Sequence, residues 1–233
     1  MRPSTQKIAR FGLLTALALV LSLMDRAIPL SALLGGAVPG IKLGLANTVL
    51  LYAVYLMDWQ GCVLLMLTKV VLSGLIFGSL SAIWFSLAGG ALSLAVMLLV
   101  RRNPENSVLS MGFLAIAAEA VLLVGRKSVR GQVLLFAILI GAGAAACFII
   151  WFLMKRGVLC RVQGTSIAGA AAHNAGQVAA AWFIVRTPML LKTYLPVLIG
   201  AGIIVGCLTG IVTDRVMKAL KINPEFGIKN MEL

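Results

Sequence analysis

Two short stretches hold most of the polar side chains that this apolar chain places where binding chemistry needs them. The first is GGAVPGIKLGLAN, residues 35–47. Gly35, Gly36, Gly40 and Gly44 let backbone approach a ligand closely. Pro39 stiffens the turn, and Lys42 stands where a following helix presents unpaired N–H groups and its positive dipole end. That combination suits an anion. A helix-entry loop with an interfacial lysine snorkelling to water would use the same residues, so Lys42 is open between the two roles. Asn47 follows within two turns and faces the same mouth.

The second stretch is GTSIAGAAAHNAGQ, residues 164–177. His173 is the single histidine of the chain, Gln177 lies one helical turn beyond it, and Asn174 is adjacent, while Gly169 and Gly176 thin the helix. Three neutral hydrogen-bonding side chains inside an apolar helix fit a binding cavity, although bonding to a neighbouring helix would also satisfy them. Lys69 sits near the middle of another apolar run, with Ser73 one turn on. Burying a lysine at that depth costs about 2.5 to 3.5 kcal/mol on insertion scales, so it faces a cavity or pairs with a carboxylate. Trp84 opens the next run. Lys42, Asn47, Lys69, Trp84, His173, Asn174 and Gln177 together describe an apolar-walled pocket for a small ligand with an anionic or carbonyl-rich part.

The elements that must carry these residues are membrane helices. Of the 233 residues, 61% are hydrophobic and 12% charged, the mean hydropathy is +1.05, and the apolar residues recur in runs near twenty long. The net charge of +13 does not point to nucleic acid, because the basic residues stand singly or in pairs at the ends of those runs. Cys62, Cys147, Cys160 and Cys207 have no paired spacing, so neither disulfide nor metal is expected. The basic N-terminus before residues 11–24 looks like a signal peptide, but Asp25-Arg26 replaces the small cleavage-site residues, and an uncleaved span is expected.

Expected spans run over about 8–24 or 8–28, 41–57, 61–80, 82–100, 108–124, 133–154, 165–185 and 195–216. The expected division is a membrane core over 1–102, an inserted apolar hairpin over 103–160, the last two core spans over 161–221, and a cytoplasmic tail over 222–233. Eight spans place both termini on one side. With that side cytoplasmic, Arg2, Lys7, Arg10, Arg101, Arg102, Lys155, Arg156, Arg161, Arg215, Lys218 and Lys221 obey the positive-inside bias. The Arg126 to Arg130 cluster violates it, so the alternative is that 108–124 lies along the inner surface. Gly12 and Ala16, four apart in the first span, permit close packing of a helix.

The order PGIKLGLAN, then FGSLSAIWFSLAGGALSLAVMLLVRR, then GTSIAGAAAHNAGQ before a final span, resembles the Gx transporter family, also labelled heptaprenyl diphosphate synthase component I. That family is similar to the substrate-binding S components of energy-coupling-factor transporters. The likeness covers residues 8–102 and 160–220. It implies an all-helical polytopic bundle, a six-span S-component-like core with the hairpin inserted. It also implies a bacterial cytoplasmic-membrane subunit that captures a small nutrient or cofactor precursor, driven by a separate transmembrane coupling subunit and cytoplasmic ATPases. It assigns substrate contact to Lys42, Asn47, His173, Asn174 and Gln177. Partner-helix contact falls on Gly12 and Ala16, although the full alanine pattern of some S components is absent. Lys69 and Trp84 join on the physical reading alone.

No ATPase is legible in the chain itself: Gly35-x4-Gly40 is followed by Ile41-Lys42-Leu43 where a phosphate loop needs Lys-Ser/Thr. Prenyl-diphosphate synthesis needs clustered aspartates to hold Mg²⁺. Asp25, Asp58, Glu105, Glu119, Asp214, Glu225 and Glu232 are all far apart in sequence. The chain is therefore expected to be no enzyme and to need no cofactor. The alternatives to transport are a non-catalytic membrane subunit of a polyprenyl diphosphate synthase, or a membrane anchor of an electron-transfer assembly.

Overall fold

The computed structural model of the chain describes residues 3–27, 45–77, 80–102, 152, 156, 161–185 and 195–220. These form six principal helices and no strand: α1 (Pro3–Ala27), α2 (Asn47–Leu56), α3 (Trp59–Phe77), α4 (Leu80–Arg102), α5 (Arg161–Val185) and α6 (Leu195–Ala219). Lys7–Asp25, Trp59–Ile76, Ile83–Arg102 and Gly200–Ala219 are each long and apolar enough to cross a membrane. The protein is thus a multi-pass helical membrane protein. Lys42 with the rest of 28–44, almost all of the expected hairpin over 103–160, and the tail over 222–233 lie outside the described residues.

The membrane-spanning helices show their two faces in their spacing. On α1, Leu14, Ala18, Ser22 and Asp25 are buried, whereas Ile8, Leu13, Leu17, Val20, Leu23 and Met24 are exposed. On α3 the buried stripe is Cys62, Leu65, Met66, Lys69, Val70 and Ser73, the three- and four-residue steps of one helix face. The exposed faces are apolar, as contact with lipid requires.

α2 departs from the expected full span over 41–57. Leu45 and Ala46 form a turn closed by the Thr48 N–H on the Leu45 carbonyl at 3.0 Å, and the helix begins at Asn47. Its 10 residues reach only about 15 Å, half the roughly 30 Å hydrocarbon thickness. α2 is instead an inner helix. Val49, Leu50, Leu51, Ala53 and Val54 are all buried in the main apolar cluster, packed with Leu65, Met66, Val70, Leu94 and Met97 from α3 and α4.

α5 is as long as α1 but carries Gln163, Thr165, Ser166, His173, Asn174 and Gln177, and it is not among the helices apolar enough to cross on composition. It tolerates these groups because α4 and α6 cover most of it, leaving little polar surface to lipid. The α5–α6 crossing is close: a side chain at Gly206 would meet the Ile167 Cα at 2.7 Å, and one at Gly210 the Gln163 Cα at 2.8 Å. Gly202, Gly206 and Gly210, four apart, are the small-residue stripe that lets these backbones touch.

Arg101 lies at the opposite end of α2 from Asn47. The Arg101-Arg102 pair closes α4, as its sequence position indicates. Arg102 is exposed, but Arg101 is buried, donates to the Val54 carbonyl and lies 5.6 Å from the centroid of the Tyr55 ring. It answers one of the carbonyls that the last turn of α2 leaves open. Tyr55 in turn shares a hydrogen bond of 3.0 Å with Thr165 of α5.

Candidate functional site

Asn47 and Lys69, far apart in sequence, are brought together. Asn47 is the first residue of α2 and Lys69 lies on the inner stripe of α3. The Lys69 ammonium donates to the Asn47 side-chain carbonyl at 3.2 Å, with both residues more than nine-tenths buried. Asn47 Nδ2 and the Ser73 hydroxyl one turn beyond Lys69 have no hydrogen-bond partner among the described residues. Buried donors in that state are what a bound polar group would satisfy.

The second pair lies on α5. Gln177 is one turn beyond His173, and the Gln177 amide nitrogen meets His173 Nε2, an arrangement in which the amide donates and Nε2 accepts. Gly89 of α4 makes room for both: a side chain there would come within 2.8 Å of Gln177 Cγ and 3.0 Å of His173 Nδ1. Gly176 faces it from α5, where a side chain would meet the Ala88 carbonyl oxygen at 2.8 Å. The SLAGG and AHNAGQ motifs are therefore two sides of one helix crossing. A hydroxyl about one turn further along holds it, Ser93 donating to the Gly169 carbonyl at 2.8 Å.

The two polar pairs share a level of the bundle. A side chain at Gly90 would contact Met66, one turn before Lys69 on α3, while the neighbouring Gly89 abuts His173. The Tyr55–Thr165 bond supplies an independent register. Counting back from Tyr55 to Asn47 on α2 and forward from Thr165 to His173 on the antiparallel α5 gives the same number of residues, about 12 Å of helix each way. Asn47 and Lys69 thus stand at about the level of Gly89, His173 and Gln177, in a layer drawn from α2, α3, α4 and α5, with Ser73 a turn or more to one side. The ammonium of Lys69 and the amide and imidazole groups around it can hydrogen-bond a small polar or anionic group. Among the described residues no three of His, Cys, Asp and Glu are grouped as a metal site.

Two expected site residues stand elsewhere. Trp84 is 62% exposed on the outer face of α4 and is not part of the layer; an aromatic ring near a helix start serves a lipid interface as well as a pocket wall. Asn174 is fully buried but turned to α6, its amide donating to the Leu198 carbonyl at 2.5 Å, because one residue along a helix is about 100° around it. It joins helices. Gly12 and Ala16 lie on the exposed face of α1, with nothing within 4 Å of the place a Gly12 side chain would occupy.

One residue beside the layer escapes the sequence reading. Asp25 is buried on α1, and its Oδ2 accepts the Leu45 N–H at 2.9 Å, immediately before α2. The signal is its position on the inward stripe with Leu14, Ala18 and Ser22, whereas in the sequence reading Asp25-Arg26 argues only against a cleavage site.

A family model described as heptaprenyl diphosphate synthase component I matches the chain over residues 14–124 and 113–216, two overlapping segments that span most of it. No curated protein and no solved structure matches.

Proposed function

We propose, from the premise that this chain belongs to the heptaprenyl diphosphate synthase component I family, that it is the substrate-binding membrane subunit of an energy-coupling-factor-type transporter. Its cargo is a small nutrient, or a cofactor, isoprenoid or quinone precursor, and it resides in the cytoplasmic membrane with both termini inside. The observation that carries this reading is the buried Lys69–Asn47 pair level with His173–Gln177. Ionisable side chains at such depth in membrane helices are rare and mark substrate or ion pathways. Lys42 in the preceding loop is proposed as a further contact. Energy then comes from a coupling subunit and cytoplasmic ATPases, with the exposed Gly12–Ala16 face of α1 as the proposed docking strip. In this reading the chain itself catalyses nothing.

Native mass spectrometry of the protein from gentle detergent tests this. The expected result is a discrete small molecule that stays bound to the wild type and is lost in Lys69→Met and His173→Ala protein. The family description favours one second reading, a non-catalytic membrane subunit of a polyprenyl diphosphate synthase. Only lipid in the spectrum, with a soluble prenyltransferase co-purifying and gaining activity, would put that reading first.

A further inference from the structure

Nothing within α2 caps its own N-terminus: Ala46 precedes it with no side-chain hydrogen bond. The turn that starts it is held from both sides at one residue. The Leu45 carbonyl accepts the Thr48 N–H at 3.0 Å and the Thr48 hydroxyl at 2.7 Å, while the Leu45 N–H is taken by Asp25 of α1 at 2.9 Å. A carboxylate is favoured beside a helix N-terminus, and here it comes from twenty residues earlier in the chain. Asp25 is 2% exposed, at the end of the apolar stretch of α1, and a carboxylate buried to that extent needs hydrogen-bond donors such as the Leu45 N–H. Leu45 is two residues before Asn47, so whatever fixes the Leu45 peptide fixes the side chain that meets Lys69. α2 is also too short to be held in depth by both membrane surfaces.

We propose that Asp25 is the positioning residue of the candidate site: by binding the Leu45 N–H it ties the start of α2 to α1 and sets Asn47 against Lys69. This rests on reading the Asn47–Lys69 pair as part of the ligand site, but the test needs no ligand. Hydrogen–deuterium exchange of the full-length protein reads the segment 45–50, and reductive methylation with formaldehyde and borohydride, mapped by mass spectrometry, reads the accessibility of the Lys69 amine. Asp25→Ala is expected to speed exchange over 45–50 by about tenfold or more, while α4 to α6 stay within about twofold of the wild type. Lys69 should become methylated in the same protein. Asp25→Asn keeps an oxygen that can accept the Leu45 N–H and should restore most of the protection. Asp25→Ser, small and polar but too short to reach, should behave as the alanine variant does, and it serves if that variant does not fold.

Unchanged exchange over 45–50 in Asp25→Ala or Asp25→Ser protein would overturn the proposal. Equal acceleration through α4 to α6 would overturn it too, by making Asp25 a determinant of the whole fold. Neither result bears on whether a small molecule is retained, so failure here and failure of the transport reading are separable.

Discussion

Lys69 is an ammonium buried inside a membrane helix, and it donates to the Asn47 side chain. We expect Lys69→Met to insert normally and to lose the bound molecule by about tenfold or more in affinity, roughly 1.4 kcal/mol. A fall in thermal stability without a change in ligand retention would make Lys69 a structural residue. The pair on α5 predicts differently. Gln177→Leu removes the partner that orients the imidazole, so it should weaken ligand retention in parallel with His173→Ala. Asn174→Ala should leave retention alone and lower stability by about 0.6 to 2 kcal/mol, the range of one interhelical hydrogen bond in a membrane; thermal unfolding and native mass spectrometry of the same samples separate the two. The burial of Asn47, Lys69, His173 and Gln177 was legible because a polar side chain inside an apolar run has few tolerable surroundings. The exposure of Trp84 was not, since an indole is at home against lipid or ligand and its spacing does not say which.

Between elements, contact is set by glycine. α4 and α5 touch through Gly89 and Gly176, and the close approach that lets His173 and Gln177 reach the layer exists because neither position has a side chain. Gly176→Val should force the helices apart at the Ala88 carbonyl, at a cost of about 1 to 3 kcal/mol from overpacking. Because the displacement falls at the site, ligand retention should drop with it. Gly206→Val on the α5–α6 crossing should cost a similar amount of stability, since a side chain there meets the Ile167 backbone. Fluorescence-detected thermal unfolding of both variants checks this ordering. Arg101 belongs to the same scale. Arg101→Ala leaves the Val54 carbonyl without its donor and should destabilise by about 1 to 3 kcal/mol, whereas Arg102→Ala on the exposed side should change little.

For the molecule as a whole, exposure of the α1 face is the feature with the widest consequence. Gly12 and Ala16 are open on the same helix whose far end carries buried Asp25. If α1 docks a coupling subunit, replacing both small residues with leucine should abolish co-purification of that subunit from cells while ligand retention stays at the wild-type level. Loss of both properties together would point to misfolding. The proposed cytoplasmic placement of the termini is tested by labelling single cysteines near each end with a membrane-impermeant maleimide in intact cells, where no labelling is expected before the cells are opened.

Hydropathy and spacing alone determined that the chain is a helical membrane protein, where α3, α4, α5 and α6 lie to within a few residues, and which polar side chains are out of place in them. Those properties follow from each helix's own transfer energy and periodicity, which are local. Tertiary structure decided the rest: that α2 is a short inner helix, that Arg101 is buried, that Asp25 reaches Leu45, and that Asn174 turns to α6 while Lys69 and Asn47 meet. Each of these depends on a partner supplied by another helix. A sequence pattern shows which face of a helix needs covering, but the choice of the group that covers it is made only when the helices cross.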